Sequence, residues 1–191
     1  MPFSTPPLQI ALVRHGETDW NARNLFQGRV DRPLSPVGRH QARGVGSELA
    51  AVREWDRLVA SPLVRARQTA EAIGDATGLS VEESIDDLIE QSFGAAEGVD
   101  REEAMVRWPD RNYPGGEPLP AVKVRAYRAW DRIVLQRRST IVVSHVVVIR
   151  ALVEAVTGSD PGFVGNGSAT VLTAFGDGWA LTGTTSPGLV P

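Results

Sequence analysis

Short apolar runs that alternate with longer helical stretches restrict this chain to few architectures. Gln9 to Val13, Arg57 to Ala60, Ser80 to Glu82, Thr140 to Ser144, Thr170 to Phe175 and Trp179 to Thr182 have the length and composition of strands. Ser35 followed by Pro36 reads as an N-cap with proline at the first helical position, and predicts a helix to about Val52. Ser61-Pro62 repeats the device, opening a helix that carries Leu63, Ala66, Ala70 and Ile73 on one face and stops at Gly78. Leu119, Val122, Ala126, Trp130 and Ile133 mark a third helix, and Val147 to Thr157, with Gly158 beyond, a fourth. Such alternation predicts an α/β fold with a mainly parallel central sheet.

The 191 residues, 42% of them hydrophobic, suffice for one domain with a sizeable core and are too few for two ordinary ones. We expect a single domain over 1–191 with a short flexible tail from about 185, and the longest irregular stretch at 99–118, rich in proline and glycine. A net charge of -3, with basic residues spread along the chain, argues against a nucleic-acid partner. Cysteine is absent, which excludes thiolate metal sites and a cysteine nucleophile. No run approaches the roughly 18 apolar residues of a membrane span, and no signal peptide is evident, so a cytoplasmic protein without a membrane partner is expected.

Three of the predicted strands end in residues of one chemistry: Arg14-His15, Ser61 with Arg65 a turn later, and Ser144-His145. In open α/β sheets ligands bind beyond the carboxyl ends of the strands. If these three ends share that edge, two guanidiniums and two imidazoles converge beside helix N-termini that favour anions. Guanidinium forks match the oxygens of a phosphoryl group, and an imidazole can attack phosphorus. Gly16 lets the backbone pass close by.

The segments carrying these residues resemble, in combination and over nearly the whole chain, the histidine phosphatase superfamily of phosphoglycerate mutase-like proteins. "LVRHGETDWN" at 12–21, "FQG" at 26–28, "LSPVGRHQA" at 34–42, "ASPLVRARQTA" at 60–70, "LIEQSFGAAEG" at 88–98 and "VVSHVVVIRAL" at 142–152 are similar to the family's motifs. The resemblance implies a three-layer α/β/α sandwich. It makes His15 the nucleophile, has Arg14, Arg65 and His145 clamp the phosphoryl oxygens, and makes Glu90 the proton donor and later the activator of water. Asn21, Gln27, Gly28 and Val146 would complete the substrate pocket. Neither metal nor cofactor is implied, and the partner would be a small phosphorylated substrate.

Alternatives accompany these assignments. Glu97, Asp86 and Asp87 are rival carboxylates for Glu90, with Glu97 also fit to bridge helix and loop. The rival reading of "TIVVSHVVVI" is one long β-branched strand with His145 buried in its middle, and His40 reads as a surface residue. Where the family commonly has glycines after the second histidine, this chain has Val146 and Val147, which would narrow the pocket, and Pro118 and Pro120 replace the expected polar cap of the third helix. The leading expectation is a metal-independent phosphomonoester phosphatase. A cofactor-dependent phosphoglycerate mutase and a non-catalytic phospholigand-binding protein are the rivals. Substrate determinants should lie in 99–118, where Trp108, Arg111 and Tyr113 would touch a leaving group or merely pack.

Overall fold

A computed structural model describes residues 7 to 185. Six strands form one sheet: β1 (Gln9–Arg14), β2 (Arg57–Ala60), β3 (Val81–Ser84), β4 (Thr140–Ser144), β5 (Ala169–Phe175) and β6 (Gly178–Thr184). Their order is β3-β2-β4-β1-β5-β6. The first four in that order run parallel, while β5 and β6 add antiparallel at one edge. The helices are α1 (Asp19–Ala22), α2 (Pro36–Val52), α3 (Val64–Thr77), α4 (Arg101–Arg107), α5 (Leu119–Val134) and α6 (Val146–Thr157).

The period-two alternation of the central strands sorts their side chains onto two apolar faces. Ala11, Val13, Ile141 and Val143 pack with Val45 and Leu49 of α2 and Ala66, Ala70 and Ile73 of α3. Ile10, Leu12 and Val142 pack with Trp130 and Ile133 of α5 and Ile149 and Leu152 of α6. Helices cover both faces of the sheet, giving the expected three-layer α/β/α sandwich. His40, on the outer side of α2, is exposed.

Three expectations about local structure change. Ser61 does not cap α3: the helix starts at Val64 behind Leu63, and the Val64 N–H is satisfied by Asp31 Oδ1 at 2.8 Å. The stretch 99–118 is not wholly irregular, since α4 lies within it. Asp100 Oδ1 accepts from the N–H groups of Glu102 and Glu103, acidic residues fill the first turn, and Arg107 stands in the last, a pattern that suits the helix dipole. The third strand runs Val81–Ser84, later than the predicted Ser80 to Glu82, on an exposed edge where hydrophobic pattern specifies register weakly. α5 begins behind Pro118 with no side-chain cap, as its sequence implies. Thr185 still pairs with Ala169, and the remainder of the expected tail lies outside the described residues.

The parallel register sets the carboxyl ends of β2, β4 and β1 side by side. Arg14 is opposite Ser144 and Ala60 opposite Val143. Two further bonds, His15 N–H to Ser144 O and Ser61 N–H to Val143 O, carry the ladder one residue past the strands. Beyond β1 the chain runs against the start of α2, where a Cβ on Gly16 would lie 2.3 Å from the carbonyl oxygen of Gly38. Glycine at 16 therefore serves backbone packing between two chain segments.

Candidate active site

At that edge opens a cavity of about 750 Å³, with Arg14, His15, Asn21, Gln27, Arg65 and Glu90 on its inner wall. Gly28 and Val146 also line it. His15 is 4% exposed. Its Nδ1 lies 2.7 Å from the Gly16 carbonyl oxygen, which only accepts, so Nδ1 carries the proton. Its Nε2 receives the Arg65 Nε–H at 3.2 Å and therefore presents a lone pair. Burial, then the charges of Arg65 and Arg14, push the His15 pKa well below the ordinary histidine value. The result is a neutral imidazole of fixed tautomer facing a guanidinium.

Arg65 is itself fixed by the carbonyl oxygens of Gly28 (2.7 Å) and Val30 (3.1 Å). Gly28 adopts a left-handed φ of 51°, and a Cβ there would collide with Glu97, which explains the glycine. Arg14 donates to Val164 O at 2.8 Å. Burial lowers the pKa of both arginines to about 10, so both stay charged at neutral pH, with Glu90 the main opposing influence. Glu90 is 5% exposed, and burial raises its pKa against the pull of the Gln91 N–H, Arg65 and Arg14. A carboxyl whose pKa is raised holds its proton to higher pH than an exposed one, which suits it to proton delivery.

His145 lies behind His15 and off the cavity surface, fully buried, its ring centroid 5.1 Å from that of His15. It caps nothing with its side chain, and α6 starts directly after it, so the reading of one long strand through residue 145 is overturned. Its Nε2 is 2.7 Å from Ser61 Oγ. The Ser61 hydroxyl proton has no other acceptor among the described residues, so it is donated to Nε2, and Nδ1 keeps the ring proton. That Nδ1, Arg14 Nε and Gln27 Nε2 are buried and have no partner among the described residues. Three unanswered donors at the end of one sheet suit an anion with several oxygens.

Asn21 closes α1 onto Thr18 in a capping box, and its Oδ1 also accepts from Asn166. Gln27 Oε1 accepts from the Thr18 hydroxyl at 2.7 Å, which leaves its amide nitrogen free of that bond. Among the rival carboxylates, Glu97 Oε1 accepts the N–H groups of Arg29 and Phe93 and so staples two loops. Asp87 is bound to Arg128. Neither Glu97, Asp86 nor Asp87 lines the cavity. Trp108 packs on Tyr113 and does not reach it either, whereas Arg111 and Tyr113 do. Sequence reasoning missed Ser61 as a partner of His145, and Asn166, whose Nδ2 donates to the His15 carbonyl at 3.1 Å. Asn166 lies 151 positions from His15, and no spacing signals such a contact.

The model of the histidine phosphatase superfamily (branch 1) matches residues 10–186. The uncharacterized phosphatase PhoE of Bacillus subtilis is 39% identical over 154 residues, which are 80% of this chain and 79% of that protein. A 2,3-bisphosphoglycerate-dependent phosphoglycerate mutase of Rhizobium meliloti is 34% identical over 162 residues, 75% of this chain and 77% of its own. Among solved structures, Bacillus stearothermophilus YhfR superposes with a TM-score of 0.81 at 27% identity, covering 91% of this chain and 95% of that one. A mycobacterial glucosyl-3-phosphoglycerate phosphatase in complex with VO3 gives the same score and identity over 91% and 97%.

Proposed function

The chain belongs to the histidine phosphatase superfamily, branch 1, and from that premise we propose that it is a metal-independent phosphomonoester phosphatase working through a phosphohistidine on His15. The observation that carries this reading is the tautomer of His15, with the proton held on Nδ1 by Gly16 O and the Nε2 lone pair turned to Arg65. Nε2 attacks phosphorus, and Arg65 passes from the ring nitrogen to a phosphoryl oxygen. Arg14, Gln27, Asn21 and the Nδ1–H of His145 hold the other oxygens, so that charge in flight meets donors already in place. Gly28 contributes its carbonyl, which fixes Arg65, and Val146 a wall of the pocket.

Glu90, protonated, gives its proton to the departing alkoxide as the oxygen–phosphorus bond breaks. As a carboxylate it then takes a proton from the water that attacks phosphohistidine, and inorganic phosphate leaves with both side chains restored. Resemblance to PhoE supports a phosphatase. A mutase reading rests on the mutase relatives and would require a bisphosphorylated primer. The test is a rapid quench without acid during turnover of an aryl phosphate. An acid-labile, base-stable phosphate on His15 and indifference to chelators are expected. Phosphate on a serine, or activity abolished by chelation and restored by a divalent metal, overturns the mechanism; conversion of 3-phosphoglycerate to its 2-isomer replaces phosphatase by mutase.

A further inference from the structure

A proton donor must stand within hydrogen-bond reach of the leaving oxygen, yet residues 90–93 belong to neither helix nor strand. Side chains from other parts of the chain hold that stretch instead. Arg125 of α5 donates through Nη1 to the carbonyl oxygens of Asp87, at 2.8 Å, and of Ile89. Arg29 donates through Nε to the carbonyl oxygen of Glu90 itself at 3.2 Å. Gln91 Nε2 donates to the Glu117 carbonyl at 2.7 Å, and the Glu117 N–H returns a bond to Ser92 O at 2.8 Å.

All these ties meet at the Glu117 carboxylate. Its Oε1 accepts from Arg125 Nε, and its Oε2 from Arg125 Nη2 and Arg29 Nη2, each at 2.9 Å. The fork of Arg125 on a carboxylate fixes direction as well as distance. The Arg125 and Glu117 side chains are only 10% and 16% exposed, so the pair is largely shielded from water. Burial would raise the Glu117 pKa, but the Arg125 bonds and the charges of Arg125 and Arg29 bring it below the ordinary value, and it is ionised at neutral pH. Arg29 also reaches the nucleophile's side of the site. Its neighbours Gly28 and Val30 supply the carbonyl oxygens that fix Arg65, which faces His15 Nε2.

Resting on the phosphatase reading, we propose that Glu117, with Arg29 and Arg125, positions the proton donor: the three side chains set the place of Glu90 relative to His15 and touch no reacting atom. Removing the carboxylate leaves two guanidiniums without the group that joins them, and the stretch bearing Glu90 loses its anchor. Arg14, His15 and Arg65 keep their own contacts. The damage then falls on the one step that needs a proton from Glu90.

The experiment follows single-turnover phosphorylation of His15 by two esters of similar size. Benzyl phosphate loses an alcohol that needs a proton, and 4-nitrophenyl phosphate loses a phenolate that does not. E117Q keeps the shape of the side chain but has one accepting oxygen where three N–H bonds need two. Its benzyl rate should fall about tenfold, less than the roughly hundredfold of a 1 Å misplacement because Arg29 still holds the Glu90 carbonyl. The nitrophenyl rate should fall less than about twofold, with the half-saturating concentrations of both esters unchanged. R29Q alters a side chain that is 41% exposed, which spares the core, and should show the same selective loss. The loss should vanish when Glu90 is absent, so that E90Q/E117Q matches E90Q, because a positioning residue then has nothing to position. Equal losses for both esters, no loss, or a loss repeated in full on the E90Q background overturns the positioning role and leaves Glu90 as the acid. An E90Q protein slowed equally on both esters removes Glu90 as the acid and the role of Glu117 with it. A wild type that forms no adduct on His15 sinks the phosphatase reading, and the positioning role falls with the step it serves.

Discussion

β1 and β4 run side by side, in parallel and in register, and each is followed at once by a histidine. After β1, the ring is tied back through Nδ1 to the carbonyl of the next residue, and Nε2 faces Arg65. After β4, the ring is tied back through Nε2 to Ser61, and Nδ1 has no partner among the described residues. Both rings are buried, and in both burial drives the pKa well down, so both are neutral at pH 7. What separates them is which nitrogen the surroundings occupy. One ring offers a lone pair and the other an N–H, so residue type and burial alone do not assign a role at such a site.

The most damaging way to break this comparison is to exchange its two halves. His15→Ala should lose turnover about a millionfold, because no other imidazole among the described residues lines the cavity. His145→Ala should lose about 10²- to 10³-fold, the cost of one donor to the phosphoryl oxygens, while still forming the adduct on His15. Steady-state rates and adduct mapping for both variants check this. An adduct on His145, or equal losses, would reverse the assignment.

Glu90 extends the comparison to a third group whose surroundings act in the opposite direction. Burial lowers both histidines and raises this carboxyl. The nucleophile must be neutral, so the rate should climb as pH rises through the depressed pKa of His15, below about 6.5. The acid must be protonated, so cleavage of alkyl esters should fall as pH rises through the elevated pKa of Glu90, above about 4.3. Glu90→Gln should remove that second limb and slow single-turnover cleavage of alkyl phosphates about 10²- to 10⁴-fold. Aryl phosphates should suffer far less at this step, because a phenolate leaves without a proton. Equal losses for both ester types would place the proton elsewhere.

A subtler intervention leaves both rings in place and removes only the tie behind His145. Ser61→Ala should cost about fivefold in kcat/KM, because the loss of one neutral hydrogen bond, about 1 kcal/mol, lets the ring change tautomer. Nitrogen chemical shifts of His145 should move from a protonated Nδ1 toward a mixture, with those of His15 unchanged. An unaltered His145 spectrum would mean that the burial of the ring, and not Ser61, selects its tautomer.

Periodicity and punctuation made the sandwich legible, since buried strands such as β1 and β4 and helices such as α5 show their apolar faces directly. The site was legible to the extent that its residues lie at strand ends. His15, Arg14, Arg65 and Glu90 all line the cavity, whereas His145 is fully buried with its ring packed against that of His15. Ser61 was misread because serine before proline is a strong local cap signal, and a contact to His145 across 84 positions leaves no local trace. α4 escaped because its sequence, REEAMVR, has almost no apolar face and depends on Asp100 and the helix dipole. Tertiary pairing determines these residues, and spacing along one chain does not record it.

The mildest test concerns Val146 and Val147, which open α6 directly after His145. Both are half-buried and line the cavity, and both also pack against the main core; Val147 reaches the aromatic cluster of Phe26, Phe93 and Tyr113 as well. Each valine therefore has one side toward substrate and another toward the interior. β-branched side chains have few rotamers with which to make room, so they should hold the pocket narrow without blocking it. Val146→Gly with Val147→Gly should raise the ratio of kcat/KM for a bulky over a small phosphate ester by about two- to fivefold, less than the roughly tenfold or more of a methylene fully engaged in a pocket, because each valine turns only one side toward substrate. It should also cost about 2 kcal/mol of stability, from helix propensity and lost apolar burial. The two readouts divide the valines' roles. A lower melting temperature with an unchanged ester ratio would show that they act only as core, and that the space beside His145 is limited by the aromatic wall instead.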